Sequence, residues 1–279
     1  MLKNVSNSFD AMLTGERPTW EEIAGVPDFW DRVRAAPHRL LAIDYDGTLA
    51  PFRVARERAV PLEGVKAILE KIRLGNGTSL AILSGRPAWQ ILELMGRDLP
   101  IPIFGSHGWE FIHPDGRDES YSMSEKQEEG VAQATVFAVD IGYEEQLERK
   151  VAGVALHTRG TPNPLEIEER FRNLWQPLAQ AHDLAVMTFN RGVELRALGH
   201  NKGTALEELY RTMPAQTLPV YIGDDTTDED AFRVIKSSGI GIKVGSEGET
   251  EAVGRVPDPA AVLKLLQDWL AATSVPAQT

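Results

Sequence analysis

Four short segments concentrate the groups that could do chemistry. Two are acidic, Asp44-Tyr45-Asp46-Gly47-Thr48 and Gly223-Asp224-Asp225-Thr226-Thr227-Asp228-Glu229-Asp230. The other two, Ser84-Gly85-Arg86 and Asn201-Lys202-Gly203, suit an anion. Residues two apart on an extended chain point to the same side, so Asp44 and Asp46 can address one centre. Their repulsion requires a counter-charge: two unit charges at ~4 Å repel by about 4 kcal/mol at an effective dielectric near 20, and an approaching phosphate dianion roughly doubles this. Asp224 at the same edge would add a third carboxylate, making an all-oxygen site that suits Mg²⁺ better than zinc or copper. Such an ion makes attack by a carboxylate on phosphate feasible.

A lysine at a helix start opposes the helix dipole, and Lys202 stands at one. Beside a phosphate and two aspartates it becomes a screen for negative charge. Ser84 followed by Gly85 offers a hydroxyl and backbone N–H groups to an anion, and equally a helix N-cap. Taken singly, each segment has an ordinary reading. Asp46-Gly47 is a turn, Thr227 with Asp230 fits a capping box, and acids favour a helix N-terminus. Together, at predicted strand ends and helix starts, they point to one site, because open parallel sheets bind ligands at the carboxyl ends of their strands.

The elements that must position these groups are legible in outline. The run His38 to Asp44 reads as a buried parallel strand, followed by an amphipathic helix over Val65 to Arg73. A second strand, Ser79 to Leu83, leads to a helix from Trp89 to Met95, and a third strand spans Ile101 to Phe104. After His107 the rhythm changes to hairpin-like patterns: strands at Val154 to His157 and Leu184 to Phe189, the turn Asn190-Arg191-Gly192, a strand over Val193 to Leu198, and a helix over Leu165 to Ala181. From Asn201 the alternation resumes: helix Thr204 to Arg211, strand Val220 to Gly223, helix Asp228 to Lys236, strand Ile240 to Val244 and a last helix from Ala260 to Leu270. The expected fold is α/β, a doubly wound parallel-sheet core over residues 38–111 and 197–279 with an inserted smaller α+β domain at 112–196. Residues 1–37, with Trp20, Ile23, Val26, Phe29, Trp30 and Val33, read as a helical lead-in packed on the body.

Composition removes several function classes. The chain has 279 residues and a formal net charge of −12, which opposes nucleic acid and anionic membranes at long range. There is no cysteine, so disulfides, zinc–thiolate sites and cysteine nucleophiles are all excluded. No run approaches the ~20 apolar residues of a membrane span, and a cytoplasmic enzyme is expected.

Read in order, LLAIDYDGTLAPF, AILSGRP, GSHGWEF, NRGVELR, NKGTAL and YIGDDTTDEDAF resemble the trehalose-phosphatase family of the haloacid dehalogenase superfamily, over roughly residues 38 to 245. The resemblance implies a Rossmann-like core with a mobile cap. It also implies hydrolysis of trehalose 6-phosphate through a phospho-aspartate on Asp44, with Asp46 as acid and then base. Mg²⁺ would be held by Asp44, the backbone carbonyl of Asp46, and Asp224, with Asp225 and Asp228 behind them. Ser84 and Lys202 would hold the transferring phosphoryl group, and Gly85, Arg86 and His107 would line the substrate pocket. In the cap, Lys150, His157, Asn190, Glu194 and Arg196 are the implied sugar contacts. Thr158 stands where the resemblance leads one to expect an aromatic residue. The implied partners are a sugar phosphate and, functionally, a trehalose-phosphate synthase. Cap identity selects the substrate, so a phosphatase for sucrose phosphate or mannosyl-3-phosphoglycerate is an alternative, as is a phosphosugar mutase. A receiver-like signalling domain shares the acidic site but would not need the insert.

Overall fold

In the structure, a computed structural model that describes residues 21–52, 59–75, 77–189 and 191–274, the lead-in ends in a short helix, α1 (Phe29–Ala35). The apolar run before Asp44 forms β1 (His38–Ile43), followed by α2 (Val65–Leu74), β2 (Thr78–Leu83), α3 (Ala88–Met95) and β3 (Ile103–Gly105). A hairpin, β4 (Glu110–Ile112) and β5 (Asp118–Ser120), precedes α4 (Glu125–Asp140), β6 (Leu147–Lys150) and β7 (Gly153–His157). Next come α5 (Pro164–Ala181), β8 (Leu184–Phe189), β9 (Gly192–Ala197) and α6 (Lys202–Arg211). The chain finishes with β10 (Thr217–Gly223), α7 (Glu229–Ile235), β11 (Ile240–Val244), β12 (Gly254–Val256) and α8 (Pro259–Ser274).

The strands form an eight-stranded sheet of order β12-β11-β10-β1-β2-β3-β4-β5 and a four-stranded sheet of order β6-β7-β9-β8. In the first, β12 through β3 run parallel and only the β4–β5 hairpin is antiparallel. Alternation in β1 sends Leu41 and Ile43 to a core shared with α1, α2, α3 and α8. Leu40 and Ala42 face a second core closed by α6 and α7. With helices on both faces the strands are buried on both, which is why they read as unbroken apolar runs. The lead-in's Ile23, Val26, Phe29, Trp30 and Val33 belong to the first core, while Trp20 lies outside the described residues.

Four differences from the sequence reading have physical causes. The helix α4 falls where hairpins were expected; its buried positions are largely small, including Gly130, Ala134 and Ala138, so its apolar stripe is faint, although Ser124 and Gln127 close a capping box. The eight-stranded sheet continues to Ser120, past residue 112, because β4 turns back along β3. Short β6 and β12 carry too few apolar residues to stand out. Near the carboxyl edge, Asp228 sits in a 3₁₀ turn (Thr226–Asp228) and α7 begins at Glu229; the capping box joins Asp225 and Asp228, not Thr227 and Asp230.

Candidate active site

The order β10-β1-β2 creates the topological switch point of the sheet: the chain leaves β1 toward β2 on one side, while β10 proceeds to β11 on the other. Ile43 stands level with Ile222, and the Asp44 amide donates to the Ile222 carbonyl at 2.9 Å. Asp44 therefore emerges beside Gly223 and Asp224. The chain then turns at Gly47, whose φ of 77° favours glycine. A Cβ there would lie 2.2 Å from Asp224 Oδ2, so the Asp224 carboxylate rests against the loop that carries Asp44 and Asp46.

Lys202, the first residue of α6, has Asn201 as its N-cap. Its buried ammonium donates to Asp44 Oδ1 and to Asp228 Oδ1, each at 2.6 Å. Asp228 accepts two further bonds at its other oxygen, from the amides of Asp224 (2.9 Å) and Asp225 (2.8 Å). The Tyr221 hydroxyl also reaches Asp228 Oδ1 at 2.6 Å. Burial alone would lower the pKa of the Lys202 ammonium, but Asp228 and Asp44 more than reverse this and raise it. For Asp44, burial pushes the carboxyl well above the usual carboxylate range; Lys202 opposes the shift, and Asp228 and Asp224 add to it. Burial, then Asp228, push Asp224 up to about 7. These are the directions expected where carboxylates outnumber the cation beside them, and a bound divalent ion would reverse them.

The geometry fits such an ion. Ligand oxygens of Asp44, Asp224 and Asp228 lie within 4.8 Å of one another, and Asp224 Oδ1 is buried without a hydrogen-bond partner. All four lone-pair positions of Asp228 are engaged by the donors named above. Asp44 and Asp224 therefore supply the open oxygens, and Asp228 supports from behind.

Arg86 was expected to meet substrate. In the structure it is buried, and its guanidinium grips Asp46 at both oxygens, 2.5 Å and 2.6 Å, with its face 5.6 Å from the Tyr45 ring centroid. Planar two-point pairing of this kind orients a carboxylate strongly. Ser84 directly follows β2; its Oγ accepts from the Arg86 amide at 3.2 Å. His107 adopts left-handed φ 59° directly after Ser106 at φ 47°, and its imidazole packs 2.6 Å from where a Gly85 Cβ would sit, so any larger residue at 85 would displace that ring. Glu110 pins this turn by accepting from the Ser106 hydroxyl and the Ala88 amide. Tyr221 and Glu110 were not singled out as site residues: both stand inside recognised motifs, YIGDDTTDEDAF and GSHGWEF, but Tyr221 reads there as one more apolar strand residue and Glu110 was given no role.

On the four-stranded sheet, strand alternation and register place Glu148, Lys150, His157, Glu194 and Arg196 on one face. The other face, with Val154, Leu156, Val193 and Leu195, is covered by α4 and α5. Lys150 Nζ pairs with Glu194 Oε2 at 3.0 Å, and His157 Nε2 with Glu148 Oε2 at 2.6 Å. Glu148 was missed by the sequence reading, and its place two residues before Lys150 was the available signal. Asn190 lies outside the described residues. Thr158 is buried, and its hydroxyl donates to Glu168 on α5 at 2.5 Å, so its departure from the expected aromatic is absorbed by helix packing.

The trehalose-phosphatase family model matches residues 42–257. The chain is 31% identical over 237 residues to the bifunctional trehalose-6-phosphate synthase/phosphatase of Thermoproteus tenax, covering 83% of this chain and 32% of that one. It is 28% identical over 234 residues to the trehalose-6-phosphate phosphatase of Escherichia coli, covering 80% and 84%. The chain spans a third or less of the length of the first curated relatives it matches. Among solved structures, the C-terminal domain of the C. albicans trehalose-6-phosphate phosphatase superposes with a TM-score of 0.76 at 20% identity, covering 91% of this chain and 99% of that one. At that identity the likeness shows a shared fold.

Proposed function

The chain belongs to the trehalose-phosphatase family, and we propose that it is a Mg²⁺-dependent phosphatase that hydrolyses trehalose 6-phosphate to trehalose and phosphate. The observation that carries this reading is the Lys202 ammonium bridging Asp44 and Asp228 beside an Asp224 oxygen that is buried and open. Asp44, Asp224 and the backbone carbonyl of Asp46 would hold the ion, which when bound neutralises the charge of the assembled carboxylates and phosphate.

An Asp44 oxygen attacks phosphorus, and the bond from phosphorus to the sugar oxygen breaks. Asp46, released from Arg86 and carrying a proton taken up from solvent (in later turnovers, from the water of the preceding hydrolysis), gives that proton to the departing oxygen. It then takes a proton from the water that attacks the phospho-aspartate; the bond from phosphorus to Asp44 breaks, and phosphate and the free carboxylate are regenerated. Lys202 and the Ser84 hydroxyl steady the phosphoryl oxygens. Residues 38–111 and 197–279 form the catalytic body, with the β4–β5 hairpin attached to it. The rest of 112–196 acts as a cap that presents Glu148, Lys150, His157, Glu194 and Arg196 to sugar hydroxyls and excludes water. No helix among the described residues is long and apolar enough to cross a membrane; we place the reaction in the cytoplasm, coupled to a synthase activity of the kind named in the Thermoproteus relative.

Phosphate release from trehalose 6-phosphate and a panel of other sugar phosphates, with and without Mg²⁺, tests this reading. Wild type with Mg²⁺ should turn over trehalose 6-phosphate best. Comparable turnover by Asp44→Asn would remove Asp44 from the nucleophile role, and preference for another sugar would reassign the substrate.

A further inference from the structure

Tyr221 is fully buried on the face of β10 covered by α6 and α7, its ring 5.5 Å from Phe232 in an edge-on contact. Packing alone would be satisfied by phenylalanine. The hydroxyl, however, donates at 2.6 Å to Asp228 Oδ1, the same oxygen that accepts from Lys202 at 2.6 Å. Lys202 reaches Asp44 at an equal 2.6 Å. The ammonium is thus balanced between two buried carboxylates, and Tyr221 weights one side of the balance. A carboxylate oxygen already holding one short donor pulls less strongly on a second, and in a buried setting such differences are large.

We propose that Tyr221 is a positioning residue for phosphoryl transfer: by donating to Asp228 it keeps Lys202 shared with Asp44 instead of passing wholly to Asp228. This rests on the reading above in which Lys202 screens the nucleophile and phosphoryl group. Without the hydroxyl, Asp228 Oδ1 gains an open acceptor site, and Lys202 shifts toward it.

Tyr221→Phe keeps the ring and removes only the donor. Its kcat should fall about tenfold on trehalose 6-phosphate and on p-nitrophenyl phosphate alike. KM, and Mg²⁺ affinity from titration calorimetry, should stay within about twofold. A hydroxyl that served only folding would lower the melting temperature and leave kcat unchanged. In an Asp228→Asn background the pull on Lys202 is already weakened, so adding Tyr221→Phe should change kcat by less than about twofold. Wild-type kcat in the single variant, a loss traced to weaker Mg²⁺ binding, or a tenfold loss that persists beside Asp228→Asn would each overturn the proposal. If circular dichroism shows Asp228→Asn unfolded, a crystal structure of Tyr221→Phe decides: Lys202 withdrawn from Asp44 supports the proposal, and an unchanged bridge refutes it. A wild type that hydrolyses p-nitrophenyl phosphate but not trehalose 6-phosphate would remove the sugar assignment and leave the Tyr221 comparison readable. Where it hydrolyses neither, the crystal structure still decides.

Discussion

The polar cluster at the edge of the eight-stranded sheet is more enclosed and more densely bonded than the one on the face of the four-stranded sheet. At the first, Asp44, Lys202, Asp228 and Tyr221 are buried, and donors and acceptors interlock. At the second, the paired side chains of His157 and Glu148 remain 33% and 42% exposed, while Lys150 and Glu194 are more enclosed, at 14% and 8%. A buried network has few alternative arrangements, because breaking one bond strands a charge in a low dielectric. Half-exposed pairs can exchange partners with water or ligand hydroxyls at little cost. The first arrangement suits a fixed reaction and the second suits recognition.

The comparison breaks if substitutions at the two clusters have similar effects. The largest loss is expected for Asp44→Asn, at least about 10⁴-fold in kcat by phosphate release, with the fold retained. Lys202→Met should lower kcat by roughly 10³-fold and lower stability in urea unfolding by about 3–5 kcal/mol, since two buried carboxylates lose their shared cation. Removing divalent ions with a chelator should abolish turnover reversibly, and Asp224→Asn should weaken Mg²⁺ binding in calorimetry by at least about 100-fold. On the other sheet, Glu194→Gln should raise KM for trehalose 6-phosphate about tenfold and leave kcat on p-nitrophenyl phosphate within about twofold. Smallest of all, His157→Ala should change unfolding stability by less than about 1 kcal/mol, because its pair with Glu148 is solvent-screened. A catalytic collapse in either of the last two variants would mean that the four-stranded sheet is part of the chemical step.

Three of the four segments proposed for catalysis were legible because each is contiguous and follows an apolar run: β1 before Asp44, β2 before Ser84, β10 before Asp224; the fourth, Asn201-Lys202-Gly203, was legible as a helix start. The α4 helix was not, since its buried face relies on Gly130, Ala134 and Ala138. Hairpin patterns were expected after His107, but that the β4–β5 hairpin extends the larger sheet was not legible, since its strands are three residues each and take their place from β3.

By itself the sequence determined which residues could do the chemistry, because residue type and local spacing are written in the chain. It also determined that alternating strands and helices must bury both faces of a sheet. Tertiary structure decided the pairings: Arg86 with Asp46, Tyr221 with Asp228, and Lys202 with an aspartate 158 residues away. The physical reason is that a buried charge takes whatever partner strand order and helix packing bring within ~3 Å, and that neighbourhood is a property of the folded chain.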